Sequence, residues 1–162
     1  MDVIIDGYNV IGARNGLHGS LEIKRRGLLQ QVSRYQQAKR FRLTVVFDGS
    51  SSGNGAETAH QDGVAVIFSG SSEKADPLIV RLARQKAAGC VVVSSDREVR
   101  KAVERVNGVA ISAWDFINIL RALDDGTMSV DLEEDEESAA RPGRKEPKSE
   151  RRRKETLRKL RL

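Results

Sequence analysis

Hydrophobic positions along this chain fall into two alternating patterns. Short apolar runs occupy residues 2–5 (Asp-Val-Ile-Ile), 43–47 (Leu-Thr-Val-Val-Phe), 64–68 (Val-Ala-Val-Ile-Phe), 90–93 (Cys-Val-Val-Val) and 109–111 (Val-Ala-Ile). Runs rich in β-branched residues and lacking polar alternation predict strands covered on both faces. Between them, apolar residues recur at helical spacing in 21–39 after Ser20, in 77–88 through Leu78, Ile79, Leu82 and Ala83, in 97–106 through Val99, Ala102, Val103 and Val106, and in 113–123. Such alternation predicts an α/β domain on a mainly parallel sheet with right-handed crossovers. The link 49–63 has no helical period and reads as a loop. No internal repeat is present.

Composition narrows the picture. The 162 residues are 39% hydrophobic but only 4% aromatic, so the core must come from Val, Ile, Leu and Ala, and an aromatic-rich RNA-recognition sheet is disfavoured. No apolar run approaches the ~20 residues that cross a bilayer, and the opening Met-Asp-Val-Ile-Ile-Asp has no basic region, so a soluble, unsecreted, cytoplasmic protein is expected. The single cysteine, Cys90, excludes an intrachain disulfide or a cysteine-rich zinc site and is expected in a buried strand.

Charge is segregated along the chain. Residues 1–123 carry a net +5, residues 124–140 a net −8 and residues 141–162 a net +8. The expected organisation is a globular domain over 1–123, an acidic linker over 124–140 and a basic tail over 141–162. The run Arg141 to Lys154 cannot bury enough apolar surface to offset its ordering entropy, and 126 to about 148 reads as a linker. Glu150 to Leu162 is rich in good helix formers and is expected to become a basic helix on an anionic partner, with a solubilising tail as the plainer alternative.

Acids fall where the strands end. Asp6 follows the first apolar run, Asp48 the second, and Asp96 comes shortly after the fourth, in Val93-Ser94-Ser95-Asp96. In a parallel sheet, ligands bind beyond the carboxyl ends of strands, so these side chains can converge. Their hard oxygen atoms suit Mg²⁺ or Mn²⁺, ions that activate water and neutralise phosphoryl charge. Asn9, three residues past Asp6, adds a neutral oxygen. Each acid also has a structural role open to it: Asp96 as the cap of a helix beginning at Arg97, Asp76 as an N-cap before Pro77, and Asp6-Gly7 and Asp48-Gly49 as turns. Ser112 and Asp115 have capping-box spacing, which places Asp115 outside the site.

The block Ile5-Asp6-Gly7-Tyr8-Asn9-Val10-Ile11 resembles the YacP-like branch of NYN domains, which are PIN-like ribonucleases. Supporting blocks follow in order: Val45-Val46-Phe47-Asp48-Gly49, Val66-Ile67-Phe68-Ser69, Glu73-Lys74-Ala75-Asp76-Pro77-Leu78-Ile79 and Val93-Ser94-Ser95-Asp96-Arg97-Glu98-Val99. The resemblance implies a PIN-like three-layer α/β sandwich and a Mg²⁺- or Mn²⁺-dependent endoribonuclease, concerned with RNA processing or, in some members, with ribosome-linked mRNA cleavage. By motif it makes Asp6, Asp76 and Asp96 the catalytic metal carboxylates, supported by Asn9 and Asp48, with Ser94 or Ser95 near the phosphate. Lys24, Arg25 and Arg97 are the cations expected to meet the RNA partner. One departure is Val80, where relatives often carry a further acid one helical turn beyond the Asp76 position.

Other readings fit less well. A haloacid-dehalogenase arrangement needs a second acid two residues after the first, and residue 8 is Tyr. The Gly/Ser-rich stretch Gly49 to Gly55 lacks the Lys-Ser/Thr ending of a phosphate-binding loop. His18 and His60 sit in separate loops by this reading, which argues against a paired-imidazole ribonuclease. The rival is a noncatalytic RNA- or ribosome-binding module that keeps the fold and binds through the basic run Lys24, Arg25, Arg26, Arg34, Lys39, Arg40 and Arg42. Of the residues able to stack on a base, Tyr8, Tyr35 and Trp114, the last lies in an apolar helical pattern and is expected in the core.

Overall fold

The apolar runs become strands of one sheet in the computed structural model, which describes residues 1–49, 56–86, 89–125 and 147–161. In chain order the elements are β1 (Asp2–Asp6), α1 (Gly7–Asn15), α2 (Leu21–Lys39), β2 (Arg42–Phe47), β3 (Glu57–Gln61), β4 (Val64–Phe68), α3 (Ala75–Gln85), β5 (Val91–Val93), α4 (Arg97–Arg105), β6 (Val109–Ile111), α5 (Ala113–Asp124) and α6 (Lys148–Arg161). The sheet order is β3-β4-β2-β1-β5-β6, parallel throughout except for β3, which runs antiparallel to β4. No helix among the described residues is long and apolar enough to cross a membrane.

Side-chain alternation along the strands divides the core in two. Val3 and Ile5 of β1, with Val45, Phe47, Val91 and Val93, pack against α1, α2, α5 and α6. Ile4, Val46, Val92 and Ala110 face the other way, against α3 and α4. Both faces of the central strands are therefore covered, which is why their sequences read as continuous apolar runs. The result is the expected three-layer α/β sandwich. Cys90 is buried beside β5, and burial pushes its thiol up to about 11, which keeps it protonated and inert.

Four departures from the sequence reading have physical causes. The 49–63 link contains β3, whose Glu-Thr-Ala-His-Gln is exposed along its whole length and pairs with β4. His60 is thus a strand residue rather than a loop residue. Residues 7–15 form α1, whose start is capped by Asp6 and whose first residue must be small: a Cβ on Gly7 would lie 2.3 Å from the Phe47 ring. The helix expected at 77–88 begins at Ala75, so Asp76 lies inside its first turn, and Lys74 holds the N-cap position without a side-chain cap bond.

The fourth departure is α6, which needs no external anion to be helical. Leu157 and Leu160 are buried in the larger core, the Tyr35 hydroxyl donates to the Leu160 carbonyl at 2.7 Å, and the Lys39 ammonium donates to the Arg161 carbonyl at 3.0 Å. Each buried leucine contributes about 1.5–3 kcal/mol relative to exposure. Residues 126–140 of the acidic linker lie outside the described residues, as do 141–146 of the basic tail and positions 50–55 of the Gly/Ser-rich stretch.

Candidate active site

From β1 the chain builds outward through β2 to β4 and β3, then returns to the other side of β1 with β5 and β6. The strand order therefore reverses between β1 and β5, and the crevice beyond their carboxyl ends is where such a sheet binds ligands. Asp6 is the last residue of β1, and Asp96 lies just past β5 at the N-cap of α4. Asp76, from the first turn of α3, completes the set: all three line one open cleft of about 550 Å³, together with Tyr8, Asn9, Ser95 and Trp114.

The carboxylates are held by neutral donors. Asp6 is 9% exposed; its Oδ1 accepts the Asn9 amide at 3.3 Å and its Oδ2 accepts the Ser94 hydroxyl at 3.1 Å. The Ser94 oxygen in turn accepts the Asp96 amide at 3.2 Å, so one buried hydroxyl spans both strand ends. Asn9 Oδ1 accepts the Ser95 amide at 2.8 Å, a second bridge from α1 to the segment after β5. Asp96 caps α4 through Oδ1, which accepts the Glu98 and Val99 amides at 2.7 and 3.1 Å. Capping uses one oxygen only, so the cap and the cleft are compatible.

Burial pushes Asp6 up to about 6, against the pull of the Asn9 and Ser94 bonds, and the negative charges of Asp76 and Asp96 raise it further. Asp76 is also raised, first by burial and then by Asp96 and Asp48, with Lys74 offsetting part of the effect. Asp48 lies outside the cleft lining but is close enough to act on Asp76; its Oδ1 accepts the Ser69 hydroxyl at 2.9 Å.

Hard carboxylate oxygens that repel one another fit a divalent cation chemically. Among the described residues, however, no three His, Cys, Asp or Glu side chains close on one point tightly enough to hold a metal ion. The acids line the cleft separately and form no finished cage.

The remaining residues singled out in the sequence separate clearly. Ser94 is buried and serves Asp6, whereas Ser95 lines the cleft. Lys24 is turned to the α1–α2 connection, donating to the carbonyls of Asn15, Gly16 and His18. Arg25 donates to the Tyr8 hydroxyl at 2.6 Å and sits 5.8 Å from the Phe68 ring centre, reaching the cleft only through Tyr8. Arg97 is exposed at the start of α4. Val80 packs against the apolar cluster under α3. Neither histidine lines the cleft. Tyr35 is core, but Trp114, expected there too, is 51% exposed on the cleft wall. Leu17 was also missed; the signal for it is an apolar residue stranded in Asn15-Gly16-Leu17-His18-Gly19, where no helical period can bury it.

Comparison with known proteins agrees with the fold. A family model described as YacP-like NYN domain matches residues 3–162, a span that includes α6. Two crystal structures of Rae1 (YacP) from Bacillus subtilis are similar to the chain. One, of a single-substitution mutant, has a TM-score of 0.64 and 28% identity, covering 77% of this chain and 77% of that one. The other has a TM-score of 0.65 and 28% identity, covering 78% and 76% respectively. No curated protein matches the chain.

Proposed function

Because this chain belongs to the YacP-like NYN domain family, we propose that it is a divalent-metal-dependent endoribonuclease that hydrolyses RNA phosphodiester bonds in the cleft beyond β1 and β5. Family membership supports the coarser part of this reading, a nuclease-like activity directed at RNA. The observation that carries the finer part is the meeting of Asp6, Asp76 and Asp96 in one cleft, with Asp6 and Asp76 both raised partly by neighbouring acids. A fold that needed these residues only as caps and turns would gain nothing from placing like charges together.

Drawn closer together than they stand in the cation-free cleft, Asp6, Asp76 and Asp96 would hold Mg²⁺ or Mn²⁺, which when bound lowers the pKa of an attacking water and neutralises phosphoryl charge. The chain's own residues supply the positioning. Ser94 and the Asn9 amide fix the Asp6 carboxylate, and the Asn9 side chain holds the Ser95 backbone against α1. Helices α1, α4 and α5 all begin at this end of the sheet, so their amide-rich termini favour a phosphate in the cleft. Arg97, beside Asp96, is the nearest cation in sequence to the carboxylates and would meet the RNA backbone. Hydrolysis in this arrangement leaves a 5′-phosphate and a 3′-hydroxyl.

The test is a divalent-ion titration of cleavage on single-stranded and structured RNA, with and without ribosomes, comparing the parent with Asp6→Asn and Asp96→Asn. Cutting should require the ion and fall by at least about a hundredfold in each variant, as expected when a group acting at the reaction centre is removed. Retained cutting in both variants would overturn the site. RNA binding without cutting by the parent would leave a noncatalytic RNA-binding module on the same fold.

A further inference from the structure

We infer that Trp114 is a base-stacking platform, and that the cleft therefore takes RNA with an unpaired nucleotide beside the scissile phosphate in preference to duplex. The inference rests on the nuclease reading for the identity of the polymer and adds to it the conformation of the substrate. Its starting point is an indole in an unusual place. Tryptophan is highly buried on average, because its large apolar surface contributes more to stability inside a protein than outside it. Trp114 is 51% exposed, although the same helix buries Ala113, Phe116, Ile117, Ile119 and Leu120. Among the described residues the exposed large hydrophobics are Met1, Leu17, Ile23 and Trp114, and two of the four, Leu17 and Trp114, line the cleft that holds Asp6, Asp76 and Asp96.

The backbone around Trp114 is tied to the catalytic segment. The Ala113 amide donates to the Ser95 hydroxyl at 3.0 Å and the Ser94 amide to the Ile111 carbonyl at 3.1 Å, joining the start of α5 to the strand end that carries Asp96. A capping box between Ser112 and Asp115 then fixes the first turn of α5 on both sides of the indole. Leu17 is supported on the α1 side, where a Cβ built on Gly12 would already be 3.7 Å from its Cγ. Gly12 and Ala13, which follow Tyr8 and Asn9 along α1 in the cleft lining, are small and leave room in the cleft that Trp114 also lines. An aromatic face of this kind accepts any base that is free of its helix, at about 1–3 kcal/mol per stacked base. Bases inside an A-form duplex offer no free face, so a paired substrate gains nothing from the tryptophan.

Trp114 is the only tryptophan in the chain, so its emission reads the contact directly. The full chain, kept free of divalent ions so that it cannot cut, is titrated with a single-stranded oligoadenylate and with an RNA duplex of equal length, and binding is followed separately by anisotropy of labelled RNA. The single strand should quench the emission and the duplex should not. Trp114→Ala should weaken single-strand binding roughly tenfold, and Trp114→Tyr should restore most of the loss, in line with base–aromatic stacking. Unchanged emission at saturation, equal affinity of Trp114→Ala and parent, or no binding of the single strand would each overturn the inference. The nuclease reading fails by a different result: quenching by single strands in a chain that never cuts when the ion is restored removes that reading and leaves the stacking contact standing.

Discussion

Asp6 and Asp115 are both carried into the protein by the fold, and burial pushes the pKa of each upward. At Asp6 the opposing partners are an amide and a hydroxyl, the neighbouring charges are negative, and the carboxyl ends at about 6. At Asp115 the Arg153 guanidinium of α6 approaches to 2.8 Å and Ser112 adds two hydrogen bonds, so the carboxyl is held below its usual range. Asp2, bonded to Lys86 and Arg42, is likewise lowered. Asp115 and Asp2 are matched by cations from other elements, while the acids at the β1/β5 crevice face chiefly one another, with a partial offset from Lys74 at Asp76. The second arrangement costs stability, a cost that the cation of the proposed site would offset on binding.

The strongest way to break the contrast is to undock the helix that supplies Arg153. Leu160 is fully buried, and its carbonyl accepts the Tyr35 hydroxyl. Leu160→Ala should cost about 3 kcal/mol in urea unfolding, within the usual range for a buried leucine. It should also loosen Arg153 from Asp115 while leaving the Asn9, Ser94 and Asp96 contacts in place. Unaltered stability would mean that α6 contributes nothing to the core it touches.

That helix also shows what the sequence could and could not disclose. The strands were legible because covered strands concentrate β-branched residues, as in Val91-Val92-Val93. The carboxylate site was legible at Asp6 and Asp96 because strand ends can be located from those runs, and the family motif added Asp76. In α6 the two buried leucines are outnumbered by Arg and Lys, whose long side chains keep their charges in water while the helix docks, so composition concealed the contact. β3 has no hydrophobic period because it is an exposed edge strand whose only requirement is pairing with β4. Trp114 misled for the opposite reason: it adjoins the apolar positions of α5, and only the tertiary arrangement shows that its side of the helix meets the cleft instead of the core.

The contrast is sharpened by neutralising Asp6. Without divalent ions the native chain holds the Asp6 proton up to about pH 6, whereas the unfolded chain releases it near the ordinary carboxyl value of 3.8. The stability due to this proton is therefore full below about pH 4 and lost as pH rises through about 6. Asp6→Asn removes the dependence, so relative to the parent it should gain on the order of 2 kcal/mol at pH 7 and nothing near pH 3.5. Thermal unfolding of both chains across this pH range measures the difference. Mg²⁺ or Mn²⁺ should then raise the melting temperature of the parent and leave that of Asp6→Asn nearly unchanged, because only binding to the native state stabilises it. Equal pH profiles for the two chains would place Asp6 outside the uncompensated set.

The smallest effect comes from giving Asp115 the environment of Asp6. Arg153→Met keeps much of the apolar stem of the side chain but removes the cation, and because the arginine is 34% exposed the loss should be only about 1 kcal/mol at pH 7. The sign with pH is the reverse of that at Asp6. A lowered carboxyl contributes stability above its unfolded pKa and loses it as pH falls through its folded one, so the deficit of Arg153→Met should be full at neutral pH and fade in acid. Carboxyl-carbon NMR titration of Asp115 should show its pKa moving from below the ordinary range to above it, since burial persists when the guanidinium is gone. A carboxyl that stayed low in Arg153→Met would mean that the Ser112 bonds alone compensate Asp115. In that case hydroxyl donors could offset burial, and the raised pKa of Asp6, which has Ser94 beside it, would have to come chiefly from Asp76 and Asp96.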